Sequence, residues 1–363
     1  MATERNYGID LLRIISMFMI VILHCLGTGG ILSATDFLSV NYNAAWLMEI
    51  MAYCAVNCYA LISGYVGYDK KVRYANLFYL ICQTVFYSVL ITLLFFVTDS
   101  AGPSDIIRSF FPIPYNSYWY MTSYFCMFFF IPFLNKMLSE LKQEDMKKLI
   151  YTLILIFSIL PTVFYSDMAS LKGGYSMLWL SALYLIGGYI SKYKVWKTVK
   201  KRYFLIIYLI SSAVTWLSFI VIAAVTNRIF LHPVPEMYLV SYTSVTILIN
   251  AVCLLLFFSR LQLKGTIPLI RGFAPATLGV YLIHTHPMIF PAVMKNCFSG
   301  FAQYPVLQLC GAVLSVSMGI CLICSVIDRL RLLLFDFMKV KEICILIENR
   351  LKFMLVYLSD KDK

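Results

Sequence analysis

What most limits this chain is a series of apolar runs, each long enough to cross a hydrocarbon core and parted from the next by a short polar link. A helix needs about 20 apolar residues for that crossing. By this measure runs fall near 9–30, 44–67, 74–98, 118–138, 148–166, 175–191, 203–226, 239–259, 274–296 and 304–327. Links such as Ala101-Gly102-Pro103-Ser104 and Leu231-His232-Pro233 separate them. Backbone in lipid must satisfy its own hydrogen bonds, so runs of this length are expected to be helices. The expected fold is an all-α integral membrane protein with about ten transmembrane helices. The fifth and sixth runs are short, which leaves room there for a missing or re-entrant helix. Composition agrees: 13% of residues are charged, where a soluble domain carries about 25%. The first run, Leu11 to Leu32, is too long for a signal-peptide core and lacks a small-residue cleavage site, so it is expected to remain as the first span.

The formal charge of +12 would suit a nucleic-acid binder, but its distribution argues otherwise. With the N-terminus inside, 25 of the 30 Lys and Arg residues fall in inner segments. Only Arg108, Lys172, Arg228 and Lys295 fall outside, and Arg13 lies within the first span. That asymmetry sets orientation, so both termini are expected on the cytoplasmic side and no nucleic-acid partner is expected. One transmembrane domain should occupy 1–330, followed by a cytoplasmic tail over 331–363. In the tail Ile343, Leu346, Ile347, Leu351, Met354, Leu355 and Leu358 recur at helical spacing among Lys341, Glu348, Arg350 and Lys352. Such an amphipathic helix can lie on the membrane surface or pack beneath the bundle. Of the eleven cysteines most sit inside apolar runs without metal-ligand spacing. Neither disulfides nor a metal are expected.

Charges and imidazoles are costly inside a membrane and tend to be functional. The first span carries Asp10, Arg13 and His24. At about 100° per residue Arg13 and His24 lie roughly 20° apart around the axis, and Asp10 about 40° from His24, so all three share a face. Eleven residues separate Arg13 from His24 by about 16 Å of helix. The second span adds Glu49 and Asn57, with Glu49 at a depth where it could pair with His24. The ninth contributes His284, with His286 beyond it. For each the alternative is a structural hydrogen bond across a helix interface, or for Arg13 and Asp10 an ion pair at the inner boundary. For His286 the two readings balance. Trp46 and Trp119 lie where an aromatic belt would put them.

A guanidinium at the inner entrance and an imidazole deeper in, on one face, suit a long anionic donor that enters from the cytosol. An acyl-coenzyme A has that shape: phosphates at one end, a slender arm, and a thioester. Arg suits phosphate, and a neutral imidazole can serve as base for a hydroxyl attacking the thioester.

These residues also carry a resemblance. Arg5-Asn6-Tyr7-Gly8-Ile9-Asp10-Leu11-Leu12-Arg13, followed by an apolar run to His24, resembles the opening of the acyltransferase 3 family of membrane acyltransferases, in which an Arg and a His with ten residues between them mark the first span. Leu61-Ile62-Ser63-Gly64-Tyr65 is similar to the family's Ser-Gly-aromatic segment. Ser117-Tyr118-Trp119-Tyr120-Met121 resembles its Trp-aromatic motif, and Leu278-Gly279-Val280-Tyr281-Leu282-Ile283-His284 its late Tyr-Leu-x-His segment. The resemblance covers essentially the whole chain. It implies transfer of an acyl group, commonly acetyl, from cytoplasmic acyl-CoA to a hydroxyl of a surface or lipid-linked glycan, in a bacterial cytoplasmic membrane. On this reading His24, Glu49 and His284 would be catalytic. Asp10, Arg13, Lys70, Lys71 and Arg73 would hold the donor, and Trp119, Tyr120 and Ser63 the substrate. Where many members have an Arg pair, this chain has Lys70-Lys71-Val72-Arg73. Some members add an extracytoplasmic hydrolase-like domain. This chain ends at Lys363, and such a domain is expected to be absent or on another protein.

Two other classes fit part of the pattern. A secondary transporter also has many spans and midplane polar groups, although no internal repeat is visible. A scaffold or sensor of envelope assembly would tolerate replacement of every intramembrane polar residue.

Overall fold

Apolar runs in a lipid-like composition become helices here, and the signals that start and stop them are local. The computed structural model describes residues 5–230, 239–263 and 265–361. The Leu231–Pro233 link, Lys264 and the side chains of Leu355 and Leu358 lie outside the described residues. Helix α1 (Tyr7–Leu26) begins where the Asn6 side chain accepts from the Gly8 and Ile9 N–H groups, a cap for donors that have no partner in the first turn. It is followed by short α2 (Ile31–Ala34), then α3 (Val40–Ala52), α4 (Ala55–Gly67), α5 (Tyr74–Val97) and short α6 (Pro103–Ser109). Next come α7 (Trp119–Glu140), α8 (Gln143–Ile154), α9 (Leu160–Phe164), α10 (Met177–Tyr193) and α11 (Lys201–Phe230). The chain continues through α12 (Val245–Phe258), α13 (Ile267–Phe273), α14 (Thr277–His284), α15 (Val306–Phe337) and α16 (Val340–Lys361). A π-turn at Leu155–Ile159 joins α8 to α9 just before Pro161, whose missing N–H breaks the regular ladder. No strand occurs among the described residues.

Among the described residues, eight helical stretches have the length and composition to cross a membrane. Two of the ten expected segments fall below that measure: α10 has 17 residues and α12 has 14. Both are largely buried, so their partners are other helices rather than lipid along most of their length. Three expected boundaries differ. The second segment breaks at Tyr53-Cys54 into α3 and α4. The ninth starts earlier, at Ile267, and stops at His284 instead of 296, because Pro287 cannot continue the helix. The tenth runs on to Phe337, with buried Asp328 and Arg331 paired at 2.8 Å, so no break falls at 330. Trp46, expected at the membrane boundary, is instead 3% exposed, with its ring 4.3 Å from that of Phe219.

Helices α1 and α4 occupy the centre, in contact with each other and with α12; α3, α14 and α15 pack on α1, and α10 packs on α4. The α4–α10 contact is the most intimate. A Cβ at Gly64 would overlap the Tyr184 carbonyl, and one at Gly187 would overlap that of Leu61. Small residues on both partners let two backbones touch, the usual basis of helix association where the surroundings are as apolar as the side chains. Asn57, fully buried on α4, donates to the Tyr242 carbonyl at 2.7 Å and accepts from Trp179 Nε1 at 3.0 Å. Outer helices show the opposite pattern, with Leu94, Val221, Ile323 and Leu330 all more than half exposed, as expected of faces turned to lipid. Helix α16 docks on α5 through Cys344 and Glu348, the latter accepting from Ala75 N–H at 3.2 Å, while Leu346, Ile347 and Leu351 stay exposed.

Candidate active site

Two cavities inside this bundle share a lining residue. One, about 420 Å³, is lined by His24, Glu49, Ser63, Trp119 and Tyr120 together with apolar residues of α1 such as Met17, Ile20 and Leu23. The other, about 670 Å³, is lined by Arg5, Asp10, Lys70, Lys194, Lys197 and Arg260 among others. Arg13 lines both and so stands between them. The shared face deduced for Arg13 and His24 is thus the wall of one chamber.

Asp10 explains how the guanidinium is held. Its carboxylate, 3% exposed, receives Arg13 NH1 at 2.7 Å on one oxygen and Arg5 Nε at 2.6 Å on the other. Helical spacing of three residues puts Asp10 and Arg13 in reach of each other. One anion between two cations leaves a net positive charge, to which Lys70, Lys194, Lys197 and Arg260 add and from which Asp69 subtracts. Tyr59 of α4 donates to the Arg13 carbonyl at 2.7 Å and braces the same turn.

At the other chamber His24 Nδ1 lies 2.8 Å from His284 Nε2, and His284 Nδ1 is bonded in turn to the Val280 carbonyl. A carbonyl can only accept, so His284 carries its proton on Nδ1 and offers a lone pair on Nε2. That lone pair requires a proton on His24 Nδ1. His24 Nε2 is therefore unprotonated in the neutral pair, and no described residue bonds to it. The relay runs from backbone to buried imidazole to the imidazole on the cavity wall. Phe290 stands edge-on to the His24 ring, with centroids 5.1 Å apart. Tyr118 OH donates to the Leu282 carbonyl at 3.1 Å and steadies the end of α14 that carries His284.

Other expected residues are placed as follows. Glu49 shares the His24 chamber but makes no hydrogen bond to His24, whose partner is His284; its Oε2 is buried without a partner among the described residues. Ser63 donates to the Tyr59 carbonyl at 3.0 Å on the chamber wall. Lys71 and Arg73 are exposed and line neither cavity. His286 is buried and saturated, with Nε2 3.1 Å from the Ser88 carbonyl and Nδ1 accepting from Met288 N–H at 3.1 Å; it is a structural residue. Trp119 lies in the chamber wall. Tyr53, Tyr175 and Tyr242, which carried no sequence signal, line the same chamber. Lys194 and Lys197 were legible as inner-loop charge but not as cavity residues.

A family model for an acyltransferase domain matches residues 6–326, almost the whole helical bundle. The chain belongs to the acyltransferase 3 family. It is accordingly a multi-pass membrane acyltransferase. No curated protein and no solved structure matches the chain significantly.

Proposed function

We propose that this acyltransferase moves an acyl group, acetyl foremost, from acyl-CoA to a hydroxyl of a cell-surface or lipid-linked glycan. It would do so in a bacterial cytoplasmic membrane, with ten membrane-embedded helices and both termini inside. The observation that carries the reading is the relay ending at His24 Nε2, on the wall of a chamber that shares Arg13 with a cationic cavity. Phosphates of the donor suit Arg5, Arg13, Lys70, Lys194 and Lys197. The apolar stretch between Arg13 and His24 suits a slender pantetheine arm, which would present its thioester to the imidazole.

His24 Nε2 takes the proton from the acceptor hydroxyl as that oxygen attacks the thioester carbonyl carbon. The tetrahedral intermediate then collapses, the carbon–sulfur bond breaks, and the departing thiolate recovers the proton from the imidazolium. Ester and free thiol result, with no net proton change. General-base catalysis of this kind contributes about 10²–10⁴-fold. His24→Ala is therefore expected to lower transfer by at least about 10²-fold in purified enzyme given acetyl-CoA and acceptor, with melting temperature nearly unchanged. Normal turnover by that variant would eliminate the mechanism. A transporter would consume no acetyl-CoA in the same assay.

A further inference from the structure

The base mechanism makes no use of Glu49. The residue lines the His24 chamber and is 7% exposed, and its buried Oε2 has no hydrogen-bond partner among the described residues. A buried carboxyl oxygen without a donor weakens the fold, so its place there calls for a ligand that supplies the donor. Beside it stands a wall of rings drawn from distant parts of the chain. Trp119 and Tyr175 have centroids 4.4 Å apart, Tyr175 and Tyr242 5.0 Å, and Tyr53 and Tyr242 4.9 Å. Trp119 and Tyr242 are nearly parallel, at 22°. The wall is built into the fold. Asn57 fixes the backbone of Tyr242, and Gly174, with φ of +103°, leaves the space that a Cβ would take from Tyr242.

We infer that Glu49, Trp119, Tyr175 and Tyr242 form the acceptor subsite, which holds a neutral sugar ring with its C–H face on the aromatic wall and its hydroxyls directed to Glu49. This rests on the glycan-acylation reading and names the residues that would recognise the glycan. A sugar ring is apolar on its faces and a hydrogen-bond donor around its edge, which matches a ring wall flanked by one unpartnered carboxyl group. An ammonium group also suits aromatic rings beside a carboxylate, and it is the rival ligand.

The test is calorimetric titration of the full chain in nanodiscs with the methyl glycosides of glucose, galactose, rhamnose and N-acetylglucosamine, and with tetramethylammonium. Acetyl-CoA is titrated separately. At least one glycoside is expected to bind, and Glu49→Leu and Tyr175→Leu are each expected to weaken it at least tenfold. Donor binding should stay within twofold. Tyr175 is 40% exposed, so its replacement guards against a folding defect in the Glu49 variant. The inference is overturned if no glycoside binds, if binding survives both substitutions, or if only tetramethylammonium binds. Failure of the wild type to bind acetyl-CoA would instead remove the donor reading, and the sugar titrations would still decide the subsite.

Discussion

His284 gives His24 what a single imidazole in lipid lacks, a fixed tautomer. Without an acceptor at Nδ1, the His24 proton could sit on either nitrogen, and half of the orientations would present a donor where a base is needed. His284→Leu keeps the volume and removes the acceptor. It is expected to lower kcat about 10²-fold with both KM values unchanged, as steady-state kinetics would show. An equal loss in the two KM values would mean that His284 shapes the binding site instead. The sequence made the two imidazoles visible, because histidines inside apolar runs stand out. It could not pair them, since residues 260 positions apart meet only through packing. Glu49 was the nearest acid by depth along the helices, yet depth says nothing about the angle at which two helices face each other. His286 shows the converse: two residues from His284, it turns toward α5 and bonds to Ser88, a matter of where α14 ends.

Among the elements, long apolar runs bounded by charge were the easy part. Segments α5, α7 and α11 begin and end within a few residues of the expected limits. What hydropathy cannot convey is helix length where the neighbour is protein rather than lipid. Helices α10 and α12 are short because other helices cover them, and α13 extends the ninth segment through Pro268 because proline is tolerated in a first turn. Helix α16 illustrates a choice left open by periodicity, between a surface helix and a packed one. It packs, using Glu348 to bind the first turn of α5, and leaves an apolar stripe outward. Lys352 and the Ala75 N–H hold the Glu348 carboxyl below its ordinary range. A depressed carboxylate contributes its stability above the unfolded-state value, about 4.3, and loses it as pH falls through the folded value. Docking of α16 should therefore be intact near neutrality and weaken progressively below about pH 4. Hydrogen exchange of the α16 amides would read this, and Glu348→Gln should remove most of the pH dependence.

For the whole molecule, the expected orientation and the cationic cavity draw on the same basic residues. The cavity lined by Arg5, Lys70, Lys194 and Lys197 opens among segments assigned to the inner side, and the aromatic chamber lies beyond it. The order along the path was legible from the first span alone. The three-dimensional chamber was not, because Tyr53, Tyr175 and Tyr242 come from joints between helices, where a one-dimensional pattern carries no periodicity.

The placement of Arg13 between the two cavities has a further consequence. On the proposed function a cytosolic reagent reaches an outward-facing reaction, and an enzyme of that kind risks becoming a hole whose hydrated passage would dissipate the proton-motive force. A fixed cation that lines both cavities raises an electrostatic barrier to hydronium and sodium while favouring anionic cargo. Arg13→Ala should thus make proteoliposomes leak protons faster than the native protein does, measurable with an internal pH dye. Equal leak rates would show that the steric closure of the bundle, and not the guanidinium, keeps an idle enzyme tight.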